Sequence, residues 1–483
     1  HDDTMATANC WRCLGRPSTQ RLLAPSSLSS FKAPTSLATF TTSAALLSRA
    51  KGNPKAKAKD DKSFSLKGHV RTGRKLVLGK KKKPRGERAK PPGPGERKAF
   101  RKRIQLSNDN ALKVEGLPEL ETQKLVDPAA VGQMVSLPTG LVDQLRTVEA
   151  FKPTQNWGLF RSPHMLIRKD TVDFLGDLTK RVGNKETVRA VIEGERSVGK
   201  SMLGLQTMAA GFMNKMVVIN IPEAQDLAEA RTEYSLIPRT TPEQFSHPSY
   251  ILKLMQAIRS ANEEILSKEI VKLEHIHLPV SVSRNSSLAS LANATKEPEF
   301  AWPIFKALWQ ELLQPGRPPI MFTLDGLSHI MRISDYRSPT FNLIHCHDFA
   351  LIRLFVEALG GKTHFPNGAA IVGVMTKGNW LKNKSVEKAL EQAVADQAGL
   401  PLPERDAFYA KYDERVFEAL KGVKVFDVKS ISKLEARSLM EYWAASGVLR
   451  LRVDEKTVSE RWTLAGNGIL GELEKASLYV SRL

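Results

Sequence analysis

The sequence predicts an α/β fold in which a parallel β-sheet is flanked by helices. Two observations predict it. Short runs of Val, Ile and Leu alternate with longer segments of helical periodicity, and this alternation is typical of parallel sheets. Two of these runs also end in residues suited to binding phosphate or metal, and parallel strands bring their carboxyl ends to one edge of a sheet. We place this domain at residues 166–430, after an irregular segment at 111–165 and before a C-terminal helical lid at 431–483.

The elements of the domain follow one another in a regular order. A helical pattern that begins at Leu166 precedes the first strand. The predicted strands are 188–192, 216–221, 320–324, 369–375 and 423–428, and the predicted helices between them include 202–213 and 302–313. Prolines at short intervals argue against long helices in 111–165. A stretch rich in Ser, Asn and Ala predicts a loop over 278–298.

Two capping signals predict further helices. Thr241-Pro-Glu-Gln244 has the capping-box form with proline at the first helical position, which predicts a helix from there past Ile258. Ser432-Lys-Leu-Glu435 has the same form. The helix that it begins carries an apolar stripe, so it should pack on the preceding domain. The stripe consists of Ala436, Leu439, Met440 and Trp443.

The first of the two binding motifs is Gly194-Glu-Arg-Ser-Val-Gly-Lys-Ser201, which follows an apolar strand. The two glycines allow the backbone to curl so that successive N–H groups face one anion, and the helix that follows adds the positive end of its dipole. Lys200 would reach the β and γ phosphates of a nucleotide, and Ser201 would bind Mg²⁺. The nucleotide-binding residues predicted here are Gly194, Glu195, Arg196, Ser197, Val198, Gly199, Lys200, Ser201 and Met202. The alternative is a glycine-rich turn before an ordinary helix.

The second motif is the apolar strand 320–324, which ends in Asp325. A carboxylate at this position can hold the shell of a Mg²⁺ ion, directly or through water. The alternative is an ordinary Asp-Gly turn. ATP-hydrolysing proteins usually have a second acid next, whereas this chain has Gly326, so we expect little or no hydrolysis; Glu223 is the other acid that could serve. Thr376 and Asn379 follow the fourth strand, where they either sense the γ phosphate or form a turn.

The positive charge of the chain is concentrated at its N-terminus. Residues 1–110 hold 26 of the 72 Lys and Arg residues but only 7 of the 51 Asp and Glu residues. Between Met5 and Lys59 there are nine basic residues and no acidic one, which is the composition of a mitochondrial targeting peptide. We assign this peptide to residues 1–50; the alternative is a Ser-rich tail without a targeting role.

Residues 51–110 predict a disordered basic arm. Pro, Lys and Arg dominate it, including Lys80-Lys-Lys-Lys83, so it cannot build a core. It can neutralise the phosphates of a nucleic acid without reading the sequence. A solvated linker is the alternative.

Other classes of site find little support. No run of eighteen apolar residues is present, so no membrane span is predicted. Two of the three cysteines lie in the targeting segment, which leaves Cys346 alone. His345-Cys-His-Asp348 places metal-ligand residue types side by side. Contiguous helical residues point about 100° apart, however, so packing and capping roles are favoured there.

Together, these motifs resemble the death-associated protein three family of mitochondrial small-subunit ribosomal proteins, in a fungal-looking form. The matching segments are Gly194–Ser201, Phe322–Gly326, Gly368–Val374 and Trp462–Gly468. The resemblance covers roughly residues 110–483. The family also has Asp-Gly where hydrolysing motors have Asp-Glu, so Gly326 agrees with it.

The resemblance implies a P-loop NTPase domain of the AAA+/STAND type with a C-terminal helical lid, built into the head of the mitochondrial small ribosomal subunit in the matrix. It also implies GTP or GDP with Mg²⁺ as a structural ligand, contacts with small-subunit rRNA and neighbouring ribosomal proteins, and a bridge to the large subunit. ATP is the alternative nucleotide, because the guanine-reading Asn-Lys-x-Asp motif is absent: Asn383-Lys384 is followed by Ser385-Val386.

Two other functions compete with this structural role. An active AAA+/STAND-type NTPase switch in ribosome assembly or RNA remodelling would need a catalytic acid and an arginine finger. A small-molecule kinase would need paired arginines in a lid. The sequence shows neither set plainly, whereas a structural nucleotide-binding ribosomal protein needs only binding residues and a basic arm.

Overall fold

The computed structural model describes residues 104–377 and 382–479. These residues lie within one compact unit and contain both strands and helices. The strands are β1 (Met134–Ser136), β2 (His164–Leu166), β3 (Thr187–Gly194), β4 (Val217–Ile221), β5 (Ser235–Ile237), β6 (Gln244–Ser246), β7 (Ile320–Asp325), β8 (Ile333–Arg337), β9 (Leu343–His345), β10 (Ala369–Val374) and β11 (Lys424–Val428).

The helices complete the element order. They are α1 (Thr139–Thr147), α2 (Lys169–Gly183), α3 (Lys200–Met213), α4 (Pro248–Ala261), α5 (Glu263–Leu266), α6 (Leu288–Ala292), α7 (Ala301–Leu312), α8 (Leu327–Ile330), α9 (Ala350–Leu359), α10 (Lys384–Gln397), α11 (Glu414–Leu420), α12 (Lys433–Ala445), α13 (Glu455–Leu464) and α14 (Leu470–Glu474). Within the described ranges, no helix is long and apolar enough to cross a membrane.

Five of the strands form one parallel sheet in the order β11-β3-β10-β7-β4. The predicted α/β fold with a helix-flanked parallel sheet is therefore confirmed, and all five predicted strands are present. The strand that leads into the glycine-rich loop, β3, does not pair with β7, which ends in Asp325. β10 lies between them, so the carboxyl ends of three strands meet at the edge where the two motifs lie.

Alternate residues of the sheet face two separate hydrophobic cores. On β7, Phe322 and Leu324 belong to one core and Met321 to the other. On β10, Ile371 and Val372 divide in the same way. Because both faces are covered, these strands are largely apolar rather than alternating between apolar and polar residues.

Each core is covered by its own helices. α4, α7, α9, α10 and α11 contribute buried residues to the first core, whereas α1, α2 and α3 contribute to the second. Segment 111–165 is thus less irregular than we predicted: it contains α1 and two short strands, and its apolar residues enter the second core and the cluster of the C-terminal helices. Pro138 directly precedes α1, which has 9 residues.

The C-terminal helices form a third cluster. The Ser432 side chain accepts from the N–H of Glu435, and the carboxylate of Glu435 accepts in return from Ser432, as the capping-box motif predicts. The predicted stripe of α12 is buried against Met134 of β1 and Leu166 of β2, together with α13 and α14.

The helix predicted to begin at Thr241 begins later. The N–H of Gln244 donates to Thr240 Oγ1 at 3.0 Å, and residues 244–246 pair with β5 instead. The helix starts at Pro248 and runs past Ile258, so only its N-terminus was wrong. The loop predicted over 278–298 is interrupted by the short helix α6, which Ser287 caps through the N–H of Ser290.

The predicted targeting peptide and most of the basic arm lie outside the described residues. The last part of the arm is described from Ile104 onward. There, Leu106 is buried and the N–H of Asn108 donates to the carbonyl of Phe160 at 3.0 Å.

Candidate functional site

The 194–201 loop joins the carboxyl end of β3 to the amino end of α3, as predicted. Its backbone has positive φ at Gly194 (143°), Ser197 (61°) and Gly199 (108°). A Cβ atom at Gly194 would lie 2.7 Å from the carbonyl oxygen of Val428 on the neighbouring strand. Glycine is therefore required at this position by both backbone conformation and close approach.

Lys200 is buried at the first position of α3 and points back into the loop. Its ammonium donates to the carbonyl of Gly194 at 3.0 Å and also to the carbonyl of Glu195. Burial, and secondarily the neighbouring Lys377, lowers the pKa of Lys200 to about 8. A buried cation whose hydrogen-bond partners are neutral carbonyls is a strong attractor for an anion.

Ser201 and Asp325 meet although they lie far apart in sequence. The Ser201 hydroxyl donates to Asp325 Oδ2 at 3.1 Å. A hydroxyl and a carboxylate are the hard oxygen ligands that Mg²⁺ takes in phosphate-binding sites, so these two residues fit that ion. Across the described ranges, no group of three or more His, Cys, Asp and Glu side chains could hold a metal. A Mg²⁺ ion here would therefore take its remaining ligands from water and phosphate.

The loop is also held by a residue that the sequence motifs did not reveal. Arg168 lies just before α2, and its side chain donates to the carbonyl of Val198 at 2.9 Å and pairs with Asp170 at 3.0 Å. It is buried, and its hydrogen bond to Val198 fixes the loop. No local motif marks it, because its partners in the loop come from a different part of the chain.

The C-terminal region contacts the same loop. The N–H of Gly471 on α14 donates to the carbonyl of Ser197 at 2.9 Å. A Cβ atom at Gly471 would lie 2.8 Å from Cβ of Ser197, so α14 can approach this closely only with glycine there. The sequence predicted helices in this region but not this contact.

A cavity of about 540 Å³ opens beside the loop. Six of the predicted site residues line it, namely Arg196, Ser197, Gly199, Lys200, Ser201 and Met202. Four others do not: Val198 points into the second core, Gly194 and Glu195 contribute carbonyls to Lys200 instead, and Asp325 reaches the wall only through its contact with Ser201. The remaining walls come from segments before α2 and from the C-terminal helices, including Phe160, His164, Leu439 and Trp443.

The position after Asp325 carries no acid. Gly326 has φ of 89°, and its N–H donates to the carbonyl of Val374 at 3.0 Å. Glu223 lines a smaller cavity of about 320 Å³ rather than the larger one. Thr376 lines the larger cavity, whereas Asn379 lies outside the described residues.

The His345–Asp348 segment has capping and packing contacts. The ring of His345 accepts from the N–H of His347 at 3.1 Å, and its other nitrogen contacts Asp413 at 2.9 Å. Cys346 is buried, and burial raises the pKa of its thiol to about 12.

Residues 165–476 match the family model described as mitochondrial ribosomal death-associated protein 3. The chain belongs to this family. The matched range includes the loop, Asp325 and α14, whereas Phe160 and His164 on the cavity wall lie before it. The family resemblance predicted from the sequence motifs is confirmed.

Two named relatives extend this match. Small ribosomal subunit protein mS29 of Neurospora crassa is 46% identical over 478 residues, which cover 98% of this chain and 99% of that protein. Small ribosomal subunit protein mS29 of Schizosaccharomyces pombe is 20% identical over 334 residues, 67% of each chain.

Proposed function

We propose that this chain is a structural component of the mitochondrial small ribosomal subunit, located in the mitochondrial matrix, and that its α/β domain holds a purine nucleotide with Mg²⁺. Family membership and the full-length similarity to a small-subunit protein support the ribosomal role. One observation supports nucleotide binding: the curled 194–201 loop, Lys200 and Ser201 line a single cavity, and Ser201 contacts Asp325.

Each group of the site has a distinct role in this proposal. The loop N–H groups and the amino end of α3 bind the phosphates, and the Lys200 ammonium neutralises their charge. Ser201 and Asp325 are the side chains that would contact a Mg²⁺ ion accompanying the nucleotide, Asp325 directly or through water, and the ion would spread the negative charge of the phosphates. The fold is accordingly a P-loop NTPase fold of the AAA+/STAND type, with the C-terminal helices as its lid.

Aromatic residues of the cavity wall suit the base. Phe160, His164 and Trp443 line the cavity, and flat aromatic side chains accept a purine ring by stacking or edge contacts. We expect GTP or GDP on the family resemblance, with ATP as the alternative.

Hydrolysis is slow or absent in this proposal. Asp325 can help hold Mg²⁺, but Gly326 has no carboxylate to orient an attacking water. An active NTPase switch would need another acid; Glu223 lines the smaller cavity rather than the one beside the loop. The nucleotide then acts as a structural ligand that stabilises the folded state, by about 2.7 kcal/mol at a hundred times its Kd.

The ribosomal contacts belong to the same proposal. The basic arm would neutralise phosphates of the small-subunit rRNA. The folded domain would contact neighbouring proteins in the head of the small subunit and take part in a bridge to the large subunit. The targeting peptide at residues 1–50 would direct import.

The test combines sedimentation with nucleotide release. Small subunits are isolated from the mitochondria of cells that express a tagged wild-type chain or the Lys200→Ala variant. The tagged chain is then affinity-purified and denatured, and the released nucleotides are separated by chromatography. We expect the wild-type chain to co-sediment with the small subunit and to release one purine nucleotide per chain, and the variant to release none. A wild-type chain that co-sediments without nucleotide would refute the nucleotide site alone, whereas failure to co-sediment would refute the ribosomal role.

A further inference from the structure

A third side chain contacts Asp325, and it comes from outside both motifs. Lys152 lies between α1 and β2, and its Nζ is 3.1 Å from Asp325 Oδ2, the same oxygen that accepts from Ser201. The Lys152 ammonium also donates to the carbonyl of Pro222 at the end of β4. Both side chains of the ion pair are mostly buried, with 16% and 17% exposed.

Contacts made by the backbone of Lys152 and by its neighbours in the chain hold it in this position. Its backbone N–H donates to Gln155 Oε1 at 2.7 Å. Its neighbour Phe151 is buried edge-on against Trp157, with ring centroids 5.2 Å apart. Asn220 of β4 donates to the carbonyl of Val148 at 2.8 Å, which docks this segment on the edge of the sheet. The ammonium is therefore placed at Asp325 by the packing around it.

The charge of Lys152 bears directly on a metal ion. Mg²⁺ needs near-octahedral oxygen ligands at about 2.1 Å and sheds its water reluctantly. An ammonium on the same carboxylate oxygen neutralises the charge that would attract the ion, and it repels a divalent cation brought beside it. The two cations therefore compete for one side of Asp325.

We propose that Lys152 is a specificity-determining residue that supplies at Asp325 the positive charge otherwise supplied by a divalent cation, so that the nucleotide is held with little dependence on Mg²⁺. This inference rests on the proposed nucleotide site. The ion can still accompany the nucleotide through the phosphates, but its contribution to affinity on the protein side is small while Lys152 is present.

Affinity measured with and without metal tests the proposal. Fluorescent GDP and ADP are titrated into the full chain in EDTA and in millimolar MgCl₂, for the wild type, Lys152→Met and Lys152→Arg. We expect the wild-type Kd to change less than about threefold between the two conditions and that of Lys152→Met to change more than about tenfold. Lys152→Arg keeps the cation and should behave as the wild type.

The matched control is Lys253→Met. Lys253, like Lys152, lines the smaller cavity that also includes Glu223. Lys253 pairs with Glu149 and is 63% exposed, so its variant should bind as the wild type does. Equal and strong Mg²⁺ dependence in the wild type and Lys152→Met would overturn the role of Lys152 while leaving the nucleotide site intact. Absence of binding by the wild type in both conditions would overturn the nucleotide site itself, and this inference with it.

Discussion

The two ends of β7 both carry buried charge, but they are built differently. Before its first residue, Arg317 pairs with Glu311 at 2.7 Å, and both side chains are fully buried. The Glu311 carboxylate also accepts from the N–H groups of Lys272 and Leu273 and contacts the ring of His275. At the other end, Asp325 contacts Ser201, which lines the larger cavity, and Lys152, which lines the smaller one.

The difference shows how a structural charge cluster can be told from a binding site. Around Glu311, nearby opposite charges and N–H groups satisfy the buried ions within the protein, as buried ion pairs require. At the carboxyl end, Lys200 is buried against neutral carbonyls, and its pKa is lowered to about 8. Asp325 and Glu193 offset this burial only in part, so an added anion would stabilise the cation further. The first cluster should therefore govern folding, and the second should govern ligand binding.

The largest expected effect comes from the amino end of β7. Glu311→Ala leaves Arg317 buried with Glu269 as its remaining ion-pair partner, and loss of one partner of a buried pair costs up to about 3–5 kcal/mol. We expect a correspondingly lower free energy of unfolding in urea. Glu264→Ala is the control, because Glu264 is 74% exposed and pairs only with a surface lysine; it should cost less than about 1 kcal/mol. Equal losses in the two variants would show that the buried cluster has no special structural role.

A smaller effect is expected where α14 touches the loop. Gly471→Ala would place Cβ 2.8 Å from Cβ of Ser197, and overpacking of this kind costs about 1–3 kcal/mol. Because the strain falls on the loop, nucleotide affinity should drop, measured by titration with a fluorescent nucleotide. Gly176→Ala in α2 is the control, since nothing lies within 4 Å of the added atom. Unchanged affinity in Gly471→Ala would show that the C-terminal helices do not support the loop.

The smallest expected effect is a pH dependence of binding. Only the protonated Lys200 attracts phosphate, so nucleotide affinity should fall above its pKa of about 8, by at most about tenfold per pH unit. Titrations from neutral pH upward measure this slope. Lys200→Arg, whose cation persists, should reduce the slope. A wild-type affinity that is constant through this range would contradict a buried, protonated Lys200 as the phosphate partner.

The same pKa shift acts on the stability of the nucleotide-free chain. Unfolded Lys200 has the ordinary pKa of 10.5 and folded Lys200 a pKa of about 8, so between these values the unfolded state binds more protons. The contribution of this group to stability therefore rises with pH across that window. Bound phosphate should raise the folded pKa and reduce this rise.

The parts of the site that were predictable from sequence are those encoded locally. The loop and Asp325 are contiguous motifs at strand ends, and the topology of a parallel sheet brings such ends together. Lys152, Arg168 and Gly471 were not found, because each acts on a residue far away in the chain and no spacing rule connects them. Their positions depend on tertiary packing, which a single sequence does not display.

Errors in the fold have a similar origin. The helix start at Thr241 was misplaced because Thr240 Oγ1 accepts from the N–H of Gln244 and the segment pairs as a strand, although its sequence fits a capping box. By contrast, Ser432 and Glu435 cap their helix as predicted, since both partners of that cap lie within the motif.

The strand order has a consequence for how the chain is made. β3, which carries the loop, pairs only with β10 and β11, and both lie in the last quarter of the chain. During synthesis from the N-terminus, β3 emerges long before either neighbour exists, and its two edges stay open until then. Unpaired strand edges invite aggregation, and such distant pairings form slowly. The loop can thus take its final shape only when the chain is nearly complete, so a bound ligand there would mark finished molecules and distinguish them from truncated ones.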